Sequence, residues 1–300
     1  MGIAATLPVK TDDGGLFLDA KEARAFGALF AEAYRNASPF PHIVIDDFLP
    51  CNLAEQLLVN FPATRSASDK MFAAGYIGHR KRQILPASCN AAARGVFAFF
   101  NGAEMLQFLE GLTGISGLVS DPYYFGGGYH EIAPGGLLGI HADFRLHEPL
   151  NLRRRLNALI YLNRDWDPAW GGQLELWDRS MKKKVQVIDP IFNRCVVFST
   201  DAHSFHGHPD PLKCPEGVTR KSAALYYYTA SERVREEVPA HNTMYHARPG
   251  ESDEFQHQAR RSRTQNYLRD WTPPALTRIL KRRKEQRRHS NLSEATSIRP

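Results

Sequence analysis

The stretch Gly135-Gly136-Leu137-Leu138-Gly139-Ile140-His141-Ala142-Asp143-Phe144 decides how this chain is read. Pro134 with the glycine pair predicts a turn, and Leu138 to Phe144 then predicts a short apolar strand. Along a strand successive side chains alternate faces, so His141 and Asp143 project together while Ala142 points the other way. One strand thus offers two side chains of metal-ligating type. A His-x-Asp tripeptide alone is common, and it gains weight from two further runs nearer the C-terminus.

These are His206-Gly207-His208 and Arg220-Lys221-Ser222, each in a further strand-like segment. A histidine from a distant strand would complete two imidazoles and one carboxylate, the facial set that leaves positions open on non-haem Fe(II). His206 and His208 are two apart and share a strand face, so periodicity does not choose between them. His203 has the opposite parity and is read as a loop or core residue, and His147, just past the strand, as a surface residue. Arg220 and Ser222 also share a face, with Lys221 turned away. A planar guanidinium makes paired, charge-assisted bonds to a carboxylate, so this face suits an acidic ligand.

Working outward, Tyr123 to Ile132, Leu156 to Asn163, Gln173 to Trp177, Lys184 to Ile188, Arg194 to Phe198, Ser204 to His208 and Ser222 to Thr229 predict further strands. Trp170-Gly171-Gly172 supplies another turn. Short strands in this rhythm imply a mainly β chain with flanking helices, its core a double-stranded β-helix, or jelly roll. Its mouth is where groups from distant strands can meet. Upstream, the spacing of Ala23, Phe26, Phe30 and Ala33 predicts one helix over Ala20 to Tyr34. His42 to Ile45 predicts a strand, Asn52 to Asn60 and Gly102 to Leu112 two helices, and Ser66 to Ser88, with little periodicity, a surface loop or lid. Downstream, Pro273 and Pro274 predict the start of a helix over Ala275 to Arg288. The expected organisation is a support region over 1–120, a catalytic core over 121–230 and a C-terminal extension over 231–300, forming one structural domain.

With 300 residues, 43% hydrophobic and 23% charged, the chain can bury a large core. No apolar run is long enough to cross a bilayer and the start lacks a secretory pattern, so the expectation is a cytoplasmic protein with no transmembrane segment. Cys51, Cys89, Cys195 and Cys214 are widely spaced and read as reduced thiols. The net charge of +6 is local: Arg278 to Arg288 holds seven basic residues against Glu285, leaving the rest formally neutral. Such a block reads first as a solvated helix end, and second as an anchor for nucleic acid.

From Ser38-Pro39-Phe40-Pro41-His42 through Thr229 the chain resembles the Fe(II)/2-oxoglutarate-dependent dioxygenases, in particular their prolyl 4-hydroxylase-like branch. Besides the histidine, aspartate and arginine runs, Ile160-Tyr161-Leu162-Asn163-Arg164-Asp165-Trp166 followed by Gly171-Gly172-Gln173-Leu174 looks like that branch's tyrosine strand and double-glycine turn. The resemblance implies Fe(II), 2-oxoglutarate and O2, with ascorbate a further candidate. It implies His141, Asp143 and His206 as iron ligands, its His-Gly step favouring His206 over His208. It also implies that Arg220 grips the far carboxylate of 2-oxoglutarate, with Ser222 and Tyr161 donating to it. Where many of these enzymes place another co-substrate-contacting tyrosine, this chain has Glu131-Ile132, and Tyr129 is the candidate substitute. The implied reaction couples decarboxylation of 2-oxoglutarate to hydroxylation of an unactivated C–H bond. Asp143 counts against halogenation, since related halogenases lack that carboxylate. Substrates consistent with this range over a prolyl residue in a peptide, a free amino acid, a secondary metabolite and nucleic acid. A nonenzymatic jelly-roll module binding an acidic ligand is the contrasting expectation, and Tyr226 and Leu174 are candidate pocket walls.

Overall fold

The computed structural model describes residues 2–12, 15–230 and 242–271. In chain order these form β1 (Ile3–Ala4), β2 (Lys10–Asp12), β3 (Gly15–Phe17), α1 (Ala20–Ala28), α2 (Ala31–Asn36), β4 (His42–Asp46), α3 (Cys51–Val59), β5 (Lys70–Phe72) and β6 (His79–Ile84). Then come α4 (Ala91–Phe100), α5 (Ala103–Thr113), β7 (Leu118–Ser120), β8 (Gly128–Ala142), β9 (Leu146–His147), β10 (Leu152–Tyr161), β11 (Leu174–Trp177) and β12 (Lys184–Ile188). The last are β13 (Cys195–Ser199), β14 (His206–His208), β15 (Arg220–Thr229), β16 (Met244–Tyr245) and α6 (Asp253–Trp271). The block Arg278 to Arg288, its predicted helix and its nucleic-acid reading fall outside the described residues. No helix among them is long and apolar enough to cross a membrane.

Two sheets share β8. Its first part pairs with β15 and β6 in the order β1-β4-β13-β10-β15-β8, extended by β6 and then β5; its last part pairs with β14 and β16, giving β12-β11-β14-β8-β16. This is the curled jelly roll the strand rhythm predicts. Pro134-Gly135-Gly136 predicts a turn, but β8 runs straight through it. Gly135 takes φ +76, donates its N–H to the Leu212 carbonyl at 2.8 Å, and lets one strand bend from one sheet into the other.

Strand parity sorts the core. Leu156, Ala158 and Ile160 of β10 and Ala223, Leu225 and Tyr227 of β15 point outward into the main apolar cluster, with Phe97, Phe100 and Phe108 from the helices. The opposite parity points inward, towards the mouth. Three local corrections follow from burial and pairing. The predicted helix over Ala20 to Tyr34 is broken between Ala28 and Ala31. The α4 helix, capped by the Asn90 side chain accepting from Ala93 N–H at 3.0 Å, has no counterpart in the periodicity reading. Ser66 to Ser88 is not simply a surface loop. It contains β5 and β6, and β6 pairs with β8 beside the mouth, with Arg82 buried on Asp69 at 2.7 Å and Glu131 at 3.0 Å.

All four cysteines are free thiols; Cys89, Cys195 and Cys214 are buried and Cys51 is exposed.

Candidate active site

At the C-terminal end of β8, His141 and Asp143 meet His206 from the facing strand β14, which pairs directly with His141. One ligand-type atom from each lies within 4.8 Å of the others, and all three residues are buried. His141 Nε2 is 3.6 Å from Asp143 Oδ1, and His206 Nε2 is 3.5 Å from Asp143 Oδ2. Each imidazole is oriented by its own strand: His141 Nδ1 lies 2.8 Å from the Gly139 carbonyl and His206 Nδ1 2.9 Å from the Ser204 carbonyl. A carbonyl only accepts, so both Nδ1 atoms carry a hydrogen and both Nε2 atoms face Asp143. Burial, reinforced by His141 and opposed by Asp143, pulls His206 down to about 4, so its ring is neutral at physiological pH. Two imidazoles whose Nε2 atoms turn to a shared carboxylate fit a divalent metal.

Behind Asp143 stands a pair that strand alternation does not single out. Asn157 Nδ2 donates to Asp143 Oδ2 at 2.8 Å, and Arg154 Nη2 lies 3.1 Å from the same oxygen. Arg154 is 1% exposed; it also donates to Asn157 Oδ1 and stacks over Tyr226, 3.5 Å from the ring centroid, and over Phe144 at 4.6 Å. Burial raises the Asp143 pKa, but Arg154 first, then His206 and His141, overcome it and hold the carboxyl well below its usual range. Arg154 and Asn157 have opposite parity in an ideal strand. The register of β10 on β15 shifts between Arg154 and Leu156, and this irregularity brings both to Asp143.

The three residues read as the acid-binding face lie together at the junction of β15 and β10. Tyr161 pairs with Ser222, and Arg220 Nη2 donates to Tyr161 Oη at 3.3 Å while its Nε donates to the Gly172 carbonyl at 2.7 Å. Gly172 takes φ +76, and a Cβ there would stand 2.6 Å from Leu212 and 3.0 Å from Arg220 Cδ, so the glycine turn leaves the space the guanidinium occupies. Lys221 faces away, as parity requires, its ammonium bonded to Thr219 Oγ1 at 2.6 Å and 5.6 Å from the Phe61 ring centroid.

Arg220 and Ser222 share one cavity with the histidine–aspartate cluster, about 990 Å³ in volume; Tyr226 and Leu174 line it, as does Tyr245 of β16, whose ring centroid is 5.2 Å from that of His141. His208 lies outside the three-residue cluster. It pairs with Leu138 across a register shift, and neither of its ring nitrogens has a hydrogen-bond partner among the described residues. His203 is exposed. Two expectations are corrected. His147 is fully buried rather than on the surface, its Nε2 3.3 Å from Asp121 Oδ1. Tyr129 does not reach the cavity; it points into the helical core, donating to the Leu57 carbonyl at 2.9 Å. Polar groups of β6 and β8, Lys81, Gln83 and His130, line that wall instead.

Residues 127–228, which span β8 to β15 and contain the cluster, match the family model described as the 2OG-Fe(II) oxygenase superfamily. Over that span, about a third of its length, the chain is similar to this superfamily. That description names 2-oxoglutarate and Fe(II), which suit the carboxylate-binding Arg220 and the histidine–aspartate cluster. No curated protein matches the chain. Among solved structures it is similar to a Trichoplax adhaerens prolyl hydroxylase in complex with a hypoxia-inducible-factor peptide: 18% identity, 72% of this chain, 94% of that one, TM-score 0.49. It is also similar to a Pseudomonas putida prolyl-4-hydroxylase: 20% identity, 68% of this chain, 100% of that one, TM-score 0.47. Another such structure is HygX from Streptomyces hygroscopicus with nickel and 2-oxoglutarate: 12% identity, 63% of this chain, 83% of that one, TM-score 0.41.

Proposed function

We propose that this chain is an Fe(II)/2-oxoglutarate-dependent dioxygenase that hydroxylates an unactivated C–H bond of a peptidyl or free amino acid in the manner of the prolyl hydroxylases, with His141, Asp143 and His206 as iron ligands. Arg220 binds the far carboxylate of 2-oxoglutarate, assisted by Ser222 and Tyr161. The observation that carries this reading is the convergence of two histidine Nε2 atoms and a held carboxylate in a cavity that Arg220 also lines.

Iron bound there supplies the oxygen-activating redox chemistry, and the chain supplies position and field. Asn157 and Arg154 fix Asp143 Oδ2, which keeps the carboxyl ionised and leaves Oδ1 for the metal. The backbone carbonyls of Gly139 and Ser204 set the histidine tautomers. Arg220, its Nε anchored on Gly172, presents its remaining donors to a carboxylate with little rotamer entropy left to lose. Leu159 and Leu174 line the cavity with apolar surface, which limits water at the reacting centre.

The reading is tested by incubating the protein with Fe(II), 2-oxoglutarate, air and a panel of prolyl peptides and free amino acids. A one-oxygen mass gain in one panel member, matched mole for mole by succinate, is the expected result. Succinate formation that no panel member stimulates, with no mass gain, would contradict it.

A further inference from the structure

Part of the cavity wall is made by β5 and β6, and it carries charge that neither the iron ligands nor the 2-oxoglutarate anchor uses. Strand register aligns side chains in rungs across the sheet: Phe72 with Lys81, Lys81 with Ile132, and Ile132 with Arg220. Lys81 and Arg220 therefore flank Ile132 on the same face, yet they lean apart. Arg220 reaches to Gly172 and Tyr161 on the β10 side. The Lys81 ammonium lies towards Phe72 on the β5 side, 5.2 Å from the ring centroid, and the Lys70 ammonium lies 5.0 Å from the same centroid. Both lysines line the cavity.

Lys81 is half-buried, and its ammonium has no hydrogen bond or ion pair among the described residues. The charges within its influence are Asp143 on one side and Arg220, Lys70 and Arg154 on the other. Asp143 is already engaged by Arg154 and Asn157. Burial accordingly pulls Lys81 down to about 8. The wider balance agrees. The described charged residues lining the cavity are Lys70, Lys81, Arg154 and Arg220 against Asp143 and Glu148, a surplus of two positive charges. Divalent iron and the 2-oxoglutarate dianion cancel each other, so the surplus persists in the loaded site. A half-buried cation beside an aromatic ring and with no counter-ion among the described residues favours an arriving carboxylate.

We propose that the substrate brings its own carboxylate into this cavity and docks it on Lys81, with Lys70 and the Phe72 ring beside it. The substrate is then of the free amino-acid or related carboxylic-acid class, rather than an internal residue of a longer peptide. This rests on the proposed function, because the surplus is counted with iron and 2-oxoglutarate in place.

The test uses the full-length protein with Fe(II) and 2-oxoglutarate under nitrogen, read by the visible charge-transfer absorption of that complex. Free L-amino acids and their matched carboxamides are titrated in. The expected result is that at least one acid perturbs the band with an affinity about tenfold or more above that of its amide. Lys81→Met should abolish that preference and Lys81→Arg retain it, while the 2-oxoglutarate affinity stays within about threefold in both. Equal affinity of acid and amide, or binding by no member of the panel, would overturn the proposal. So would Lys81→Met weakening 2-oxoglutarate about tenfold with the acid preference intact, which would assign the lysine to the co-substrate. Failure of the wild-type protein to form the iron–2-oxoglutarate complex at all would instead refute the proposed function, on which this proposal rests.

Discussion

Replacing Arg154 with methionine isolates the group that keeps Asp143 ionised. Arg154 is 1% exposed and 3.1 Å from Asp143 Oδ2. At that separation and an effective dielectric near 20, the attraction is about 5 kcal/mol. Methionine retains much of the packing against Tyr226 and Phe144 and removes the cost of burying a guanidinium, but it leaves the Asp143 carboxylate without its cation. Breaking a buried pair in this way costs about 3–5 kcal/mol. Urea unfolding of the metal-free protein at pH 7 should therefore show a loss of that size. With Mn(II) bound as an inert stand-in for iron, the metal supplies the missing positive charge, and the loss should fall by at least about half. The pH dependence has a definite sign. Arg154 and the histidines depress the folded-state pKa of Asp143, so its stabilising contribution is present above the unfolded value of about 3.9 and is lost as pH falls through the lower folded value. Arg154→Met raises the folded value, and the acid limb of the stability curve should move to higher pH. A loss below about 1 kcal/mol without metal, or an equal loss with and without it, would refute this account of the pair.

Arg220→Ala should weaken 2-oxoglutarate binding by about 2–4 kcal/mol, measured by calorimetry under nitrogen with Fe(II) present, because a charge-assisted anchor is lost. Gly172→Ala should weaken it too and lower thermal stability, since the residue has φ +76 and its new Cβ crowds Leu212 and Arg220 Cδ; a variant with unchanged affinity would show that the turn does not position the guanidinium.

The placement of the candidate site residues is legible in the sequence where parity in one strand carries it. His141 with Asp143, and Arg220 with Ser222, lie where alternation puts them, and the jelly roll follows from strand rhythm. Alternation fails at irregularities. The Pro134-Gly135-Gly136 signal is real, but Gly135 bends β8 instead of reversing it, because a carbonyl of Leu212 waits there to accept its N–H. Arg154 and Asn157 are hidden because the register shift in β10, which brings residues of opposite parity to one carboxylate, leaves no mark in the local pattern. The only hint is an arginine triplet, Arg153-Arg154-Arg155, opening an apolar strand. His206 and His208 have equal parity, yet a shift in β14 separates their surroundings. His147 and Tyr129 depart from expectation for another reason: their burial is set by Asp121, Phe61 and Phe97, which lie far away in sequence or on other elements.

The central claim, that His141, Asp143 and His206 hold the iron on which 2-oxoglutarate turnover depends, is tested most directly by succinate formation in wild type and Asp143→Ala. Both are supplied with Fe(II), 2-oxoglutarate and air, with the fold of the variant checked by circular dichroism. The account predicts turnover in the wild type and its loss in the variant; a folded Asp143→Ala protein that still produces succinate at the wild-type rate would contradict it.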